Sequence, residues 1–241
     1  EINLIGRVNN LSLPASSALM PIFEAVVNSI QAIEDLKSTS KGKIEIQIKR
    51  GEDSQNELEL GERVHHPIIG FEIHDNGIGF DADNFKAFDT SDSRWKQSRG
   101  GKGIGRLFWL KAFDKVEIES IFLENSKSYK RKIDFSLNGV SAKPSEVHDA
   151  PRKTTVRLLG FKEEYRKACK KRASSIAARI VEHCLTYFLN PSCPEILLAD
   201  DDEDQIIGLN TWFKENIGEN LLKETFKVGK HSFEIVGLPL Y

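Results

Sequence analysis

The stretch IHDNGIGF, residues 73–80, joins an apolar segment to a turn that contains two glycines. Residues 68–74 have the composition of a buried strand, and the turn places the carboxylate of Asp75 at the end of that strand. Gly77 and Gly79 permit positive φ and the close approach of a flat ligand. Alone, the motif is weak evidence, because Asp-Asn-Gly turns are common hairpin connectors.

A helix is predicted upstream, over residues 16–36. Its apolar residues recur at a spacing near 3.6, and serines at its start are expected to cap free backbone amides. Glu24, Asn28 and Gln31 are spaced by four and three residues, which stacks them on one face, nearly opposite the apolar stripe. Polar side chains in such positions are usually only solvated, so their meaning depends on the neighbouring motifs.

A glycine-rich turn lies downstream. GGKGIGR, residues 100–106, is predicted to open an apolar helix over residues 104–113, after a polar, cationic surface loop at residues 89–102. Free amides at such a helix start, together with the helix dipole, can cradle phosphates, although the glycines could also serve only a tight turn. The run lacks the GxxxxGKS or GxxxxGKT pattern of a P-loop, and it does not follow a strand directly as a dinucleotide fold requires.

The rest of the chain alternates strand and helix patterns. Strands are predicted at residues 43–50, 115–122, 128–137, 154–161 and 195–199, and helices at 163–189 and near 210–216. Residues 51–67 are predicted as a loop or a short hairpin insertion, residues 200–204 as a solvated acidic turn, and a hairpin is predicted around Gly229 and Lys230.

The composition is that of an ordinary globular protein. Of 241 residues, 39% are hydrophobic and 29% are charged, which suffices for one large domain and part of another. A net charge of -2 supplies no overall field that would recruit nucleic acid, so such a partner would need a local patch. Cys169, Cys184 and Cys193 lack the spacing of disulfide frameworks and zinc sites, which favours a reducing cytoplasm. No long apolar stretch or signal-peptide pattern occurs, so a soluble, cytoplasmic protein without a membrane partner is expected.

Four motifs follow one another along the chain: FEAVVNSIQA at 23–32, IHDNGIGF at 73–80, GGKGIGRLFWLKAF at 100–113 and KTTVRLL at 153–159. In this order they resemble the GHKL ATPases, the superfamily of gyrase B, MutL, the ninety-kilodalton heat-shock chaperone and the histidine kinases. The resemblance covers about residues 15–200, and its last part looks most like the chaperone and MORC branches. The chain as a whole is similar to bacterial stand-alone ATPases of this superfamily.

The resemblance implies a fold and a domain organisation. The expected fold is α+β of the Bergerat type, an α/β sandwich with a mixed, mostly antiparallel sheet and helices on one face. Residues 1–205 are expected to form the ATP-binding domain. Residues 206–241 are expected to begin a following α/β region, similar to a transducer domain and truncated.

The resemblance also assigns roles on the helix and at the turn. Glu24 matches the general base that orients and deprotonates the water attacking the γ-phosphate, and Asn28 matches the side-chain oxygen that ligates Mg²⁺. Asp75 matches the carboxylate that accepts a hydrogen bond from the exocyclic amine of adenine. Gly77 and Gly79 belong to the same base-binding turn, where Gly79 gives the base room.

Further roles concern the support of that carboxylate and the phosphate lid. Thr154 or Thr155 matches a threonine that supports Asp75 through a hydroxyl and a water, and the choice stays open because Lys153 replaces the glycine that usually precedes it. Gln31 occupies a place that is often Asp, which could weaken the outer shell around the metal. The lid, whose amides neutralise charge on the transferring phosphate, corresponds to Gly101, Lys102, Gly103, Ile104 and Gly105.

The roles together imply a Mg²⁺-dependent ATPase that hydrolyses ATP to ADP and phosphate. Lid closure is expected to be coupled to a nucleotide-dependent homodimer or to a downstream domain. Two alternatives stay open: a module that senses ATP without meaningful hydrolysis, and a protein kinase of the same fold. Retention of Glu24 argues against the first of these.

Overall fold

The computed structural model describes residues 4–37, 41–52, 65–90, 105–218 and 222–237. The helices are α1 Leu4–Asn10, α2 Met20–Leu36, α3 Ala82–Asp89, α4 Gly105–Ala112, α5 Glu163–Ala168, α6 Ala173–His183, α7 Leu185–Phe188 and α8 Leu209–Asn216, with a short 3₁₀ turn at Ala15–Ser17. The strands are β1 Lys43–Arg50, β2 Ile68–Asp75, β3 Phe113–Glu124, β4 Lys127–Ser136, β5 Gly139–Val147, β6 Lys153–Phe161, β7 Glu195–Asp200, β8 Glu203–Gly208, β9 Leu222–Val228 and β10 His231–Gly237.

Eight strands form one sheet in the order β5-β4-β3-β6-β2-β1-β7-β8. The β1–β7 pair is parallel, and the other neighbours in this sheet are antiparallel. Strands β9 and β10 form a separate antiparallel hairpin around residues 229–230. The prediction of an α+β chain with a mixed, mostly antiparallel sheet is therefore confirmed.

The two faces of the sheet differ in chemistry. Buried side chains alternate along the central strands and fall on one face, as in the cross-strand pairs Ile46–Ile73 and Ile118–Val156. Helices α2, α4, α6 and α8 pack against the sheet and bury this face. The opposite face carries ion pairs such as Arg157 with Glu72, at 3.5 Å. One apolar face under helices is the arrangement that lets a single sheet bury a large core.

The start of α2 differs from the prediction. The helix begins at Met20 with Pro21 in its first turn, and its N-cap residue, Leu19, makes no side-chain hydrogen bond. The serines lie in the separate 3₁₀ turn that precedes it, so the predicted serine cap is wrong. Proline is tolerated here because the first helical amides have no partner within the helix.

The helix predicted over residues 163–189 is three helices. The chain becomes extended at Cys169, with φ -68° and ψ 145°, and breaks again at Cys184. Tyr165, Cys169 and Ala173 are all buried, so the apolar spacing continues through the first break. Spacing alone therefore could not reveal it.

Strand β5 was not predicted from the sequence. It is a largely exposed edge strand, where Pro144 is tolerated because an outer amide needs no partner.

The acidic run was predicted as a solvated turn, which is wrong for its first residue. Asp200 ends β7 at 4% exposure, and its two oxygens accept hydrogen bonds from the Arg50 guanidinium at 2.8 and 2.6 Å. A buried carboxylate needs such a partner, and Arg50 supplies it from β1. Strand β8 begins at Glu203, so the predicted boundary at residue 205 falls within a strand of the main sheet. The division into domains stays a prediction.

No single helix in the described ranges is long and apolar enough to cross a membrane. The bent pair Leu4–Asn10 and Ala15–Leu36, at 110°, passes that test by length and composition only.

Candidate functional site

Asp75 is a buried carboxylate of the predicted site. It ends β2 on the helix-covered face and is only 6% exposed. The Ser29 hydroxyl donates to its Oδ2 at 2.9 Å, and the Gly77 amide donates to its Oδ1 at 2.9 Å. Burial raises the pKa of Asp75 from an ordinary 3.8 to about 6, against the lowering effect of these two hydrogen bonds. The group is therefore a buried acceptor that is ionised at neutral pH.

The turn after Asp75 is wedged between α2 and the sheet. The Ile78 amide donates to the carbonyl of Ala32 at 3.0 Å, and a side chain at Gly77 would come within 2.7 Å of the Ala32 backbone. Gly79 has φ +79°, and a side chain there would come within 2.8 Å of Ser120 Oγ. Both glycines are thus required by close approach, and Gly79 also by its left-handed backbone.

The strand register distinguishes the two candidate threonines. Thr154 is the cross-strand partner of Asp75, so the two side chains share the helix-covered face. Thr155 is the partner of His74 on the opposite face, and the Thr155 hydroxyl lies 2.9 Å from His74 Nδ1. The structure therefore brings Thr154 to the site and places Thr155 outside it.

A row of buried polar residues crosses the sheet beneath the turn. Arg131 pairs with Ser120, Ser120 with Thr154, and Thr154 with Asp75. Ser120 Oγ lies 3.0 Å from Thr154 Oγ1 and accepts a hydrogen bond from the Phe80 amide at 2.9 Å. Sequence motifs did not single out Ser29, Ser120 and Arg131. For Ser120 a signal exists, since it interrupts the apolar alternation of β3.

Arg131 anchors the far end of the turn. Its guanidinium lies over the rings of Phe85 and Phe122, 4.6 and 5.0 Å from their centroids, and donates to the carbonyl of Asp81 at 2.8 Å. Burial lowers the pKa of Arg131. The side chain is 7% exposed, so it ties α3 to β4 from within the core and helps to hold the turn over the polar row.

The remaining predicted residues lie along α2 and at the start of α4. A side chain added at Gly105 would overlap the carboxylate of Glu24, so this carboxylate lies against the first residue of α4. Asn28, one turn further along α2, is half-buried. The amides of a first helical turn have no partner inside the helix, which makes the start of α4 a favourable place for an anion.

The predicted polar face of α2 is not fully solvated. Gln31 is buried, and its amide donates to the Tyr187 hydroxyl of α7 at 3.4 Å. Phe23 stacks on His183 of α6 with 4.4 Å between ring centroids. Gln31 is therefore not solvated, because later helices pack behind α2. Sequence periodicity cannot foresee such packing.

Four predicted lid residues, Gly101, Lys102, Gly103 and Ile104, lie outside the described residues. Within the described ranges, no group of three or more His, Cys, Asp or Glu side chains could hold a metal ion. Asn28 contributes a single amide oxygen. A Mg²⁺ that takes one or two protein oxygens together with substrate phosphates and waters would fit this sparse donor set.

No protein-family model matches the chain, and no curated protein matches it. The motifs are brought together in the fold as the preceding distances describe. That arrangement combines a buried acceptor carboxylate, a hydroxyl beside it, a glycine turn above both and a second carboxylate at a helix start. Hydrogen-bonding groups thus lie at one end of this arrangement, and the start of α4 lies beside the Glu24 carboxylate at the other.

Proposed function

We propose that the chain binds ATP with Mg²⁺ and hydrolyses it to ADP and phosphate, as a GHKL ATPase with a Bergerat fold. The observation that carries the proposal is that one helix serves both ends of the site. Ser29 of α2 donates to Asp75, while Glu24 of the same helix lies against Gly105. A rigid helix fixes the spacing between a base-binding and a phosphate-binding position.

The base end suits adenine. Asp75 is ionised above about pH 6 and accepts a hydrogen bond from the exocyclic amine. Thr154 stands beside it on β6, and the absence of a side chain at Gly79 lets the turn pack directly on Ser120. Burial of Asp75 makes this contact selective for a ligand with an amine. A ligand that lacks the amine leaves the buried carboxylate with one hydrogen-bond donor fewer.

The phosphate end suits a polyphosphate. The start of α4 at Gly105 would offer free backbone amides and the positive end of the helix dipole to such an anion. Asn28 supplies an oxygen toward Mg²⁺, which when bound would neutralise charge on the phosphates. Glu24 accepts the proton of the attacking water and orients it. Phosphoryl transfer of this kind depends on positioning and charge stabilisation, and these residues supply both.

The architecture supports the same proposal. A mixed, mostly antiparallel sheet with helices over one apolar face is what the motif resemblance implies, and the site lies between that sheet and α2. We further propose that nucleotide binding is coupled to homodimer formation or to a following domain. Fold-level analogy alone supports this coupling.

The proposal is tested by phosphate release from ATP in the absence of any added protein. Glu24→Ala is expected to lower turnover by about a hundredfold or more while leaving analogue binding largely intact. Glu34→Ala, at an exposed position of the same helix, is the matched control and is expected to leave turnover unchanged. Unchanged hydrolysis in Glu24→Ala would sink the base assignment. Binding without turnover in the unaltered chain would favour a sensor or a kinase.

A further inference from the structure

The Ser120 hydroxyl is wholly buried at the centre of the polar row. Its residue is 0% exposed. Its oxygen lies 2.9 Å from the Phe80 amide nitrogen and 3.0 Å from the Thr154 hydroxyl. The first contact ties Ser120 to the glycine turn, and the second ties it to the strand neighbour of Asp75.

The direction of the hydrogen bond between Ser120 and Thr154 follows from the protons that each hydroxyl can donate and from the exposure of the two residues. An amide can only donate, so Ser120 accepts from Phe80 and keeps its own proton to donate. Within the described part of the chain, Thr154 is the one remaining partner of this hydroxyl. Either direction leaves one hydroxyl proton without an acceptor among the described residues. Ser120 is 0% exposed and Thr154 is 4% exposed, so only the Thr154 proton can reach a ligand or a water. Both hydroxyls are satisfied in the bound state when Ser120 donates to Thr154.

The Thr154 oxygen then accepts the Ser120 proton, so Thr154 can donate its own proton to a ligand or to a bridging water. Asp75, beside it on β2, can only accept when it is ionised. The two neighbouring side chains thus present one donor and one acceptor.

We infer that Ser120 is a positioning residue that sets Thr154 as a hydrogen-bond donor beside Asp75, and so selects adenine over bases with a 6-oxo group. The inference rests on the proposed function. Adenine offers an acceptor at N1 and a donor at its 6-amine, which match Thr154 and Asp75. Hypoxanthine and guanine offer the reverse pattern, a donor at N1 and an acceptor at O6.

The test compares non-hydrolysable triphosphate analogues of adenosine, inosine and purine riboside, titrated with Mg²⁺ into the full chain. Purine riboside keeps the N1 acceptor but lacks the amine, so it reports on Thr154 without the amine contact to Asp75. Ser120→Ala is expected to weaken the adenosine and purine riboside analogues about tenfold relative to the inosine analogue. Ser120→Cys, whose thiol is a weaker donor, is expected to bind these analogues with affinities between those of the unaltered chain and those of Ser120→Ala. It provides the same test if the alanine variant does not fold.

The matched control is Asn84→Ala. Asn84 donates to the Gly79 carbonyl at 3.0 Å, so this variant loosens the same turn without touching Thr154. It is expected to weaken all three analogues equally. A Ser120→Ala variant that behaves like this control, or that binds all three as the unaltered chain does, would overturn the inference. Failure of the unaltered chain to bind any analogue would instead overturn the proposed function, and the inference with it.

Discussion

Ser29 Oγ lies 2.9 Å from Asp75 Oδ2, so a residue of helix α2 stabilises the ionised form of a buried carboxylate at the end of β2. This hydrogen bond lowers the pKa of Asp75, against the larger effect of burial. Ser29→Ala is therefore expected to raise the pKa of Asp75 further and to move the pH dependence of analogue binding upward. Calorimetric titrations across a pH series measure the midpoint. Ser192→Ala, an exposed serine, is the control, and an unmoved midpoint in Ser29→Ala would contradict the expectation.

The raised pKa of Asp75 predicts a pH-dependent stability without any ligand. Folding raises this pKa from 3.8 to about 6, so the folded chain holds the proton more tightly than the unfolded chain does. The free energy of unfolding should fall as pH rises through this window, by about 3 kcal/mol in total, and stay level above it. Asp75→Asn removes this contribution. Denaturant titrations give the free energy of unfolding of both proteins at each pH. Plotted against pH, the two sets of values should diverge over the window, whereas parallel plots would show that Asp75 titrates normally.

Gly105→Ala tests the placement of Glu24. The added methyl group would overlap the Glu24 carboxylate, which is the end of a flexible side chain and can move aside. The fold should survive, because alanine is a better helix former than glycine by about 1 kcal/mol. Turnover should fall at least about tenfold, since a displaced base no longer orients water. Gly208→Ala, where no atom lies closer than 3.7 Å, is the control. Equal turnover in both variants would contradict the placement.

Adjacent aspartates at the end of β7 are expected to differ sharply in their effect on stability. Asp200→Ala leaves the Arg50 guanidinium buried without its carboxylate and should lower the free energy of unfolding by about 3–5 kcal/mol. Asp201→Ala removes an ion pair with Lys49 whose side chains are 30% and 35% exposed, together with hydrogen bonds from Gln47 and from the Arg50 amide, and should cost about 1–2 kcal/mol. Urea titration measures both. Similar losses would mean that the Arg50–Asp200 pair does not stabilise the turn between β7 and β8.

Sequence periodicity predicted most elements of the sheet because their alternation is local. Strand β1 is an example, since Ile44, Ile46 and Ile48 are buried and the residues between them are not. The break at Cys169 escaped because buried residues continue through it at helical spacing. Strand β5 escaped because an edge strand has no buried face to reveal it.

Site residues that lie within a short motif could be predicted from the sequence. Site residues that reach the site through strand pairing could not. Asp75 and Glu24 could be singled out within short motifs, but Ser120 reaches Thr154 only through the register of β3 with β6. The same register separates Thr154 from Thr155, which the sequence could not do, because adjacent strand residues face opposite ways.

The central claim is that Asp75 binds the base of ATP. Its most direct test is calorimetric titration of a non-hydrolysable ATP analogue with Mg²⁺ into the unaltered chain and into Asp75→Ala, at a pH above 7 where the carboxylate is ionised. We expect micromolar-range binding by the unaltered chain and its loss in the variant. Absence of binding by the unaltered chain, or equal binding by both proteins, would contradict it.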